Sequence, residues 1–160
     1  MSRQVLSTQA SVALDAWVRL LHAHASTTRA LSGSLLAEHG LTINDYEALF
    51  RLARAEDGRM RRVDLSDELL LTASGVTRLL DGLEAAGYVE RASCPTDRRV
   101  VYAVITETGR EKFEVASQLH LAEVQALFDG RFGVEELEQL AELLGRLPGA
   151  ENADGEDCAA

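Results

Sequence analysis

The sequence predicts a mainly helical α+β fold, and three observations carry that prediction. Apolar residues recur at helical spacing over long stretches near both ends of the 160-residue chain. Two short helical patterns stand close together in its middle. Directly after them, "YVERA" and "VVYAVIT" flank a Pro-containing turn, the pattern of a β-hairpin.

From Ser11 to His39 the apolar stripe runs through Leu14, Trp17, Val18, Leu21, Ala25, Thr28, Leu31 and Leu35, and Gly40 stops the helix. Thr42 then caps a second helix, with Asp45 at its acid-favoured third position and Leu41 and Tyr46 placed to form a hydrophobic staple. "AEDGRM" reads as a loop with an Asp-Gly turn. In "VDLSDELL" the residues expected inward are Val63, Leu65 and Leu69; in "ASGVTRLLDGLEAAG" they are Val76, Leu79, Leu80 and Leu83, with Thr72 as cap and Gly87 as stop. Two helices joined by a short turn form a helix-turn-helix, and the hairpin that follows makes it a winged helix-turn-helix. Thr106 caps another long helix, striped by Phe113, Ala116, Leu119, His120, Val124, Leu127 and Phe128. After "DGRFG" a last helix runs from 134 to 147, with Leu137, Leu140, Ala141, Leu144 and Leu147 on its stripe. Terminal helices so long, with so little else to cover them, predict a symmetric dimer.

Composition narrows the function classes. No apolar run approaches the roughly 20 residues of a membrane span, and the N-terminal stretch lacks a secretory apolar core, so the expected compartment is the cytoplasm. Cys94 and Cys158 stand far apart and make neither a disulfide framework nor a CxxC metal pair. No Gly-rich phosphate loop and no nucleophile with a base at useful spacing is present, so neither an enzyme nor a cofactor is expected. His22, His24, His39 and His120 include no i, i+4 pair, so no metal site is expected either. The net charge of −10 is uneven: residues 1–50 carry −1, residues 51–112 balance eleven basic against eleven acidic groups, and residues 113–160 carry −9. A polyanion is repelled from one end and admitted to the Arg-bearing middle, which orients it.

The run "MRRVDLSDELLLTASGVTRLLDGLEAAGYVERASCPTDRRVVYAVITETGREKF", residues 60–113, closely resembles the MarR family of bacterial transcriptional regulators, and with the flanking helices the resemblance spans about residues 10–148. It implies a homodimer with intertwined terminal helices on a palindromic double-stranded DNA operator, repression of transcription, and release when a small molecule or oxidant binds. The domains then read as a flexible N-terminus at 1–10, a helical dimerisation region at 11–40 and 106–148, a winged helix-turn-helix DNA-binding module at 41–105, and a disordered acidic tail at 149–160. The rival reading is a winged-helix protein-interaction adaptor without sequence-specific DNA binding.

The recognition helix is expected at 72–86, with Ala73, Ser74, Thr77, Arg78 and Asp81 on its outer side. Thr72, Ser74 and Thr77 offer hydroxyls, Gly75 allows close backbone approach, and Arg78 suits a bidentate guanine contact worth about 1–3 kcal/mol of discrimination. Arg98 and Arg99 sit at the wing tip, where a guanidinium suits the negative potential of a narrow minor groove. The family's Asp-x-Arg pattern implies that Asp97 orients Arg99 and that Arg98 lies near a phosphate. Arg91, and Arg61 or Arg62, are further phosphate candidates. For a small aromatic or phenolic effector, the family's crevice between dimer helices and winged module points to Trp17, His24 and Tyr46, with Arg19 beside Trp17 to meet an acid; Trp17 also fits plain core on the apolar stripe. Cys94 reads either as a thiol sensor or as a packed strand residue.

Overall fold

A computed structural model describes residues 2–94, 97 and 99–148, with side chains from residue 8. The expected tail at 149–160 and Pro95, Thr96 and Arg98 of the wing lie outside the described residues. The chain order is α1 (Ser2–His39), α2 (Ile43–Arg54), a 3₁₀ turn (Glu56–Gly58), β1 (Arg59–Arg61), α3 (Arg62–Glu68), α4 (Ala73–Ala85), β2 (Val89–Ser93), β3 (Val101–Ile105), α5 (Glu107–Phe128) and α6 (Val134–Gly145).

Helix α1 has 38 residues and starts at Ser2, so the segment expected to be flexible through residue 10 is helical instead. Residues 2–10 contain no Gly or Pro, and extending an existing helix avoids the cost of nucleation. Its other end follows the sequence: Gly40 takes φ +66 and donates to the Leu36 carbonyl at 3.0 Å. Thr42 and Asp45 form the expected reciprocal capping box of α2. Thr72 accepts from Gly75 N–H at the start of α4, and Thr106 accepts from Gly109 N–H at the start of α5. All three caps were legible because the capping residue and its N3 partner are local in sequence.

Two features differ from expectation. The hairpin is part of a three-stranded antiparallel sheet, ordered β1-β3-β2, because "RMR" at 59–61 pairs with β3 in the register Met60↔Ala103. Three residues carry no usable alternation, so the strand exists only through its neighbour. In α3, Leu65 and Leu69 are buried as expected, but Val63 is 62% exposed. A residue two positions from Leu65 on a helix points to the opposite side. The turn that follows places Leu70 at φ +53 and leaves it exposed.

One core serves the middle of the chain. Leu41, Ala48, Leu49 and Leu52 of the α2 region meet Leu65, Val76, Leu80, Leu83, Val89, Ala103 and Ile105, with Leu35 and Ala116 entering from α1 and α5. Helix α6 contributes no buried residue. Among the described residues no helix is long and apolar enough to cross a membrane.

Candidate nucleic-acid interface

Burial of Val76, Leu80 and Leu83 against the core fixes which way α4 faces. Ala73, Ser74, Arg78 and Asp81 are exposed as expected, and Thr77 is half-buried. The hydroxyls differ in what they have left to offer. Thr72 Oγ1 accepts from Gly75 N–H at 3.1 Å and lies 3.2 Å from Ser74 Oγ. Thr77 Oγ1 donates its proton to the Ala73 carbonyl at 2.7 Å and accepts from Arg62 Nη1 at 3.4 Å. The Thr77 hydroxyl proton is thus engaged within α4 in the free protomer, and a contact from it to DNA would exchange that bond. Ser74 is exposed, and its hydroxyl shares a hydrogen bond with Thr72 alone among the described residues. A Cβ placed on Gly75 points at Thr72 Oγ1, 3.2 Å away, and at the Leu71 side chain, so that glycine makes room for the cap.

Arg78 Nε donates weakly to the Ser74 carbonyl at 3.4 Å, which lays its guanidinium toward the N-terminal end of α4. It borders a groove of about 430 Å³ shared with Asn44, Gly75 and Thr42, where the starts of α2 and α4 come together. Asn44 is exposed there and was not singled out from sequence. Its signal was its place two residues after the Thr42 cap, on a helix that only folding brings beside α4.

The wing keeps its predicted strands in the register Val89↔Ile105 to Ser93↔Val101. At its tip Asp97 Oδ1 accepts from the Arg99 backbone N–H at 3.0 Å, and Val100 N–H donates to the Asp97 carbonyl at 3.0 Å. Asp97 thus holds the main chain of Arg99, whose side chain is exposed. Arg98 lies outside the described residues. Cys94 is half-buried at the end of β2, its N–H donating to the Val100 carbonyl at 3.1 Å.

Two other basic candidates are engaged within the fold. Arg61 binds Asp64 through both Nε and Nη2, each at 2.7 Å, and that hydrogen bonding, then the carboxylate charge, pushes its pKa above the ordinary value. Arg91 pairs with Asp81, with its Nε 3.4 Å from Glu84 Oε2. Arg62 opens α3 and leans over α4 through its contact with Thr77.

The effector candidates do not gather in one pocket: none of the three described grooves is lined by Trp17, Arg19, His24 or Tyr46. Trp17 is 56% exposed, which overturns the core reading for the single protomer. Arg19 is exposed and paired with Asp15 at 2.8 Å. His24 is exposed and close enough for its charge to act on Glu47, whose carboxyl burial pushes up while Arg51 and His24 pull it down. Tyr46 is buried, 4.4 Å from the His120 ring and 5.6 Å from the Phe113 ring. Ser117 already donates to the Phe113 carbonyl, so Tyr46 is the donor in its 3.3 Å contact with Ser117. Among the described residues no group of three His, Cys, Asp or Glu is placed to hold a metal ion.

The MarR family model matches residues 39–100. The HTH-type transcriptional regulator MhqR of Bacillus subtilis is 31% identical over 110 residues, 69% of this chain and 74% of MhqR. Among solved structures, AbsC, a MarR family transcriptional regulator from Streptomyces coelicolor, superposes with a TM-score of 0.77 at 34% identity, over 89% of this chain and 95% of AbsC. Sco3205, a MarR family regulator of the same species solved in complex with DNA, gives a TM-score of 0.76 at 26% identity over 81% of each chain. The identity and the coverage together, on a winged module bearing an outward-facing second helix, settle the assignment: the chain belongs to the MarR family of DNA-binding transcriptional regulators.

Proposed function

We propose that the protein is a homodimeric repressor of a palindromic double-stranded DNA operator, released by a small aromatic or phenolic effector. The observation that supports this most is the sorting of the arginines. Arg51, Arg59, Arg61 and Arg91 are paired with carboxylates. Arg62, Arg78 and Arg99 are exposed and, among the described residues, have no ion pair. Those three can engage phosphates or bases without first breaking an internal pair.

Two-fold pairing through α1, α5 and α6 supplies a second α4, and major grooves on one DNA face recur about every 34–36 Å, which makes the operator palindromic. A dimer filling two major grooves and the flanking minor grooves occludes an overlapping promoter, so repression is the direct outcome. A chromosomal ligand places this work in the bacterial cytoplasm. For the effector, Trp17, Arg19 and His24 present an indole, a guanidinium and an imidazole on α1, suited to an aromatic acid, with the partner protomer closing the site.

The test is operator binding by the full chain, using a duplex selected by the protein from a randomised library. Affinity should fall steeply with salt, by about 0.9 in log K per unit log salt for each phosphate contact. Arg99→Ala should weaken binding about ten-fold while the dimer stays folded, and Arg78→Ala should relax base preference by about 1–3 kcal/mol at the position it reads. A flat salt response, or undiminished binding by Arg99→Ala, overturns the reading; a protein partner with no duplex affinity favours the adaptor.

A further inference from the structure

The recognition helix and the wing must reach different grooves of one duplex at once, so the angle between them matters as much as either surface. Arg91 stands between them. It lies on β2, opposite Ala103 in the register with β3. Its Nη2 donates to Asp81 Oδ1, and its Nε lies 3.4 Å from Glu84 Oε2. Asp81 and Glu84 are both exposed on α4, three residues apart, so a single planar guanidinium spans one helical turn. A tie at one point leaves a helix free to roll; ties a turn apart fix both its rotation and its splay. Strand β2 has need of such a tie because, among the described residues, it is a sheet edge paired with β3 alone, and it leads directly into the wing tip.

We propose that Arg91 is a positioning residue for DNA recognition: by gripping Asp81 and Glu84 it sets the angle between recognition helix and wing, without itself touching DNA. This rests on the DNA-binding reading above and replaces the expectation that Arg91 contacts a phosphate. A phosphate would have to compete with two carboxylates already in place for the same guanidinium. Freed from Arg91, the same two carboxylates would stand bare on the helix that faces the polyanion, a further reason for the fold to keep them engaged.

The test uses the full chain, the duplex selected by the wild type, and a scrambled duplex as non-specific probe. Arg91→Ala should lower affinity for the selected duplex about ten-fold, leaving scrambled-duplex affinity and the salt slope unchanged. Asp81→Asn with Glu84→Gln should lose as much, and adding Arg91→Ala to that pair should lose no more. Arg91→Lys, which keeps the charge but not the fork, should recover part of the loss. A salt slope shallower by about 0.9 in Arg91→Ala, with Asp81→Asn/Glu84→Gln binding at least as tightly as wild type, makes Arg91 a phosphate contact and overturns the proposal. Wild-type affinity in the triple variant makes Arg91 only a mask for the two carboxylates, and overturns it as well. If the wild type selects no duplex, the DNA reading fails instead, and the clamp is read without DNA: exchange of the Cys94 amide hydrogen should quicken in Arg91→Ala with little change in the urea midpoint. Unchanged exchange overturns the clamp.

Discussion

Thr77 gives its only hydroxyl proton to the Ala73 carbonyl and accepts from Arg62, so a residue type favoured for DNA contact has its hydroxyl engaged within the fold. Asp97 likewise acts through the Arg99 backbone, fixing the tip from which the guanidinium leaves. What a side chain can do for a ligand is what its own fold has not already used. His120 shows the same economy in a titrating group. Its half-buried ring is tilted 45° against the Tyr46 ring, and among the described residues neither its buried Nδ1 nor the buried Glu123 Oε2, one turn on, has a hydrogen bond. Burial pushes the His120 pKa below its ordinary 6.5, with the Glu123 charge pulling the other way. The folded pKa lies under the unfolded one, so the unfolded chain takes up the proton first. Stability is then complete above about pH 6.5 and declines as pH falls through the window beneath it. Urea midpoints measured between about pH 7.5 and pH 5.5 should drop for the wild type and drop less for His120→Gln; parallel curves would remove His120 as the cause.

At the scale of elements, the start of α5 ties that long helix to the winged module. Thr106 N–H donates to the Tyr88 carbonyl at 3.0 Å, and Thr106 Oγ1 donates to the Gly87 carbonyl at 2.7 Å while capping Gly109. One residue along, Arg110 Nη1 donates to the Ala53 carbonyl at the end of α2, at 3.3 Å. Gly109 is what permits this close approach, since a Cβ there would fall 2.1 Å from the Tyr88 carbonyl oxygen and 2.9 Å from Ile105 Cγ1. Backbone cannot yield as a flexible side chain can. Gly109→Ala should therefore cost about 1–3 kcal/mol in urea denaturation and weaken operator binding through the displaced wing base. A stability within about 0.5 kcal/mol of wild type would show that α5 shifts freely there.

For the whole molecule, the decisive feature is how unevenly burial is distributed. The core draws most of its buried residues from the winged module, whereas Val12, Leu14, Trp17, Val18, Leu21 and Leu36 of α1, with Val115 and Leu121 of α5 and Leu143 and Leu144 of α6, stay exposed in one protomer. At about 1.5 Å per residue, α1 is near 57 Å long, far more than one module of this size can cover. Pairing of two chains through these helices, as proposed above, would remove that surface from water. Trp17 is the single tryptophan and reports on it directly. Its emission should be that of a shielded indole at working concentration and shift to the red as dilution separates the protomers. An exposed-indole spectrum at every concentration would place the dimer contact elsewhere.

Local features were legible in the sequence by itself: the winged order of elements, the caps at Thr42, Thr72 and Thr106, the glycine stop at Gly40, and the inward stripe of α4, because each depends on residues a few positions apart. From that stripe followed the outward face with Ser74 and Arg78, and from "TDRR" the wing tip with Arg99. Tertiary structure decided the rest. Strand β1 exists only beside β3; Asn44 reaches Arg78's groove only when α2 packs against α4. Whether an arginine is held by a carboxylate, as Arg91 is by Asp81 and Glu84, or has no ion pair among the described residues, as with Arg62 and Arg78, depends on which charges folding brings within a few ångströms. Sequence spacing carries the period of a helix or strand, whereas an ion pair between α4 and β2 depends on how the two elements cross.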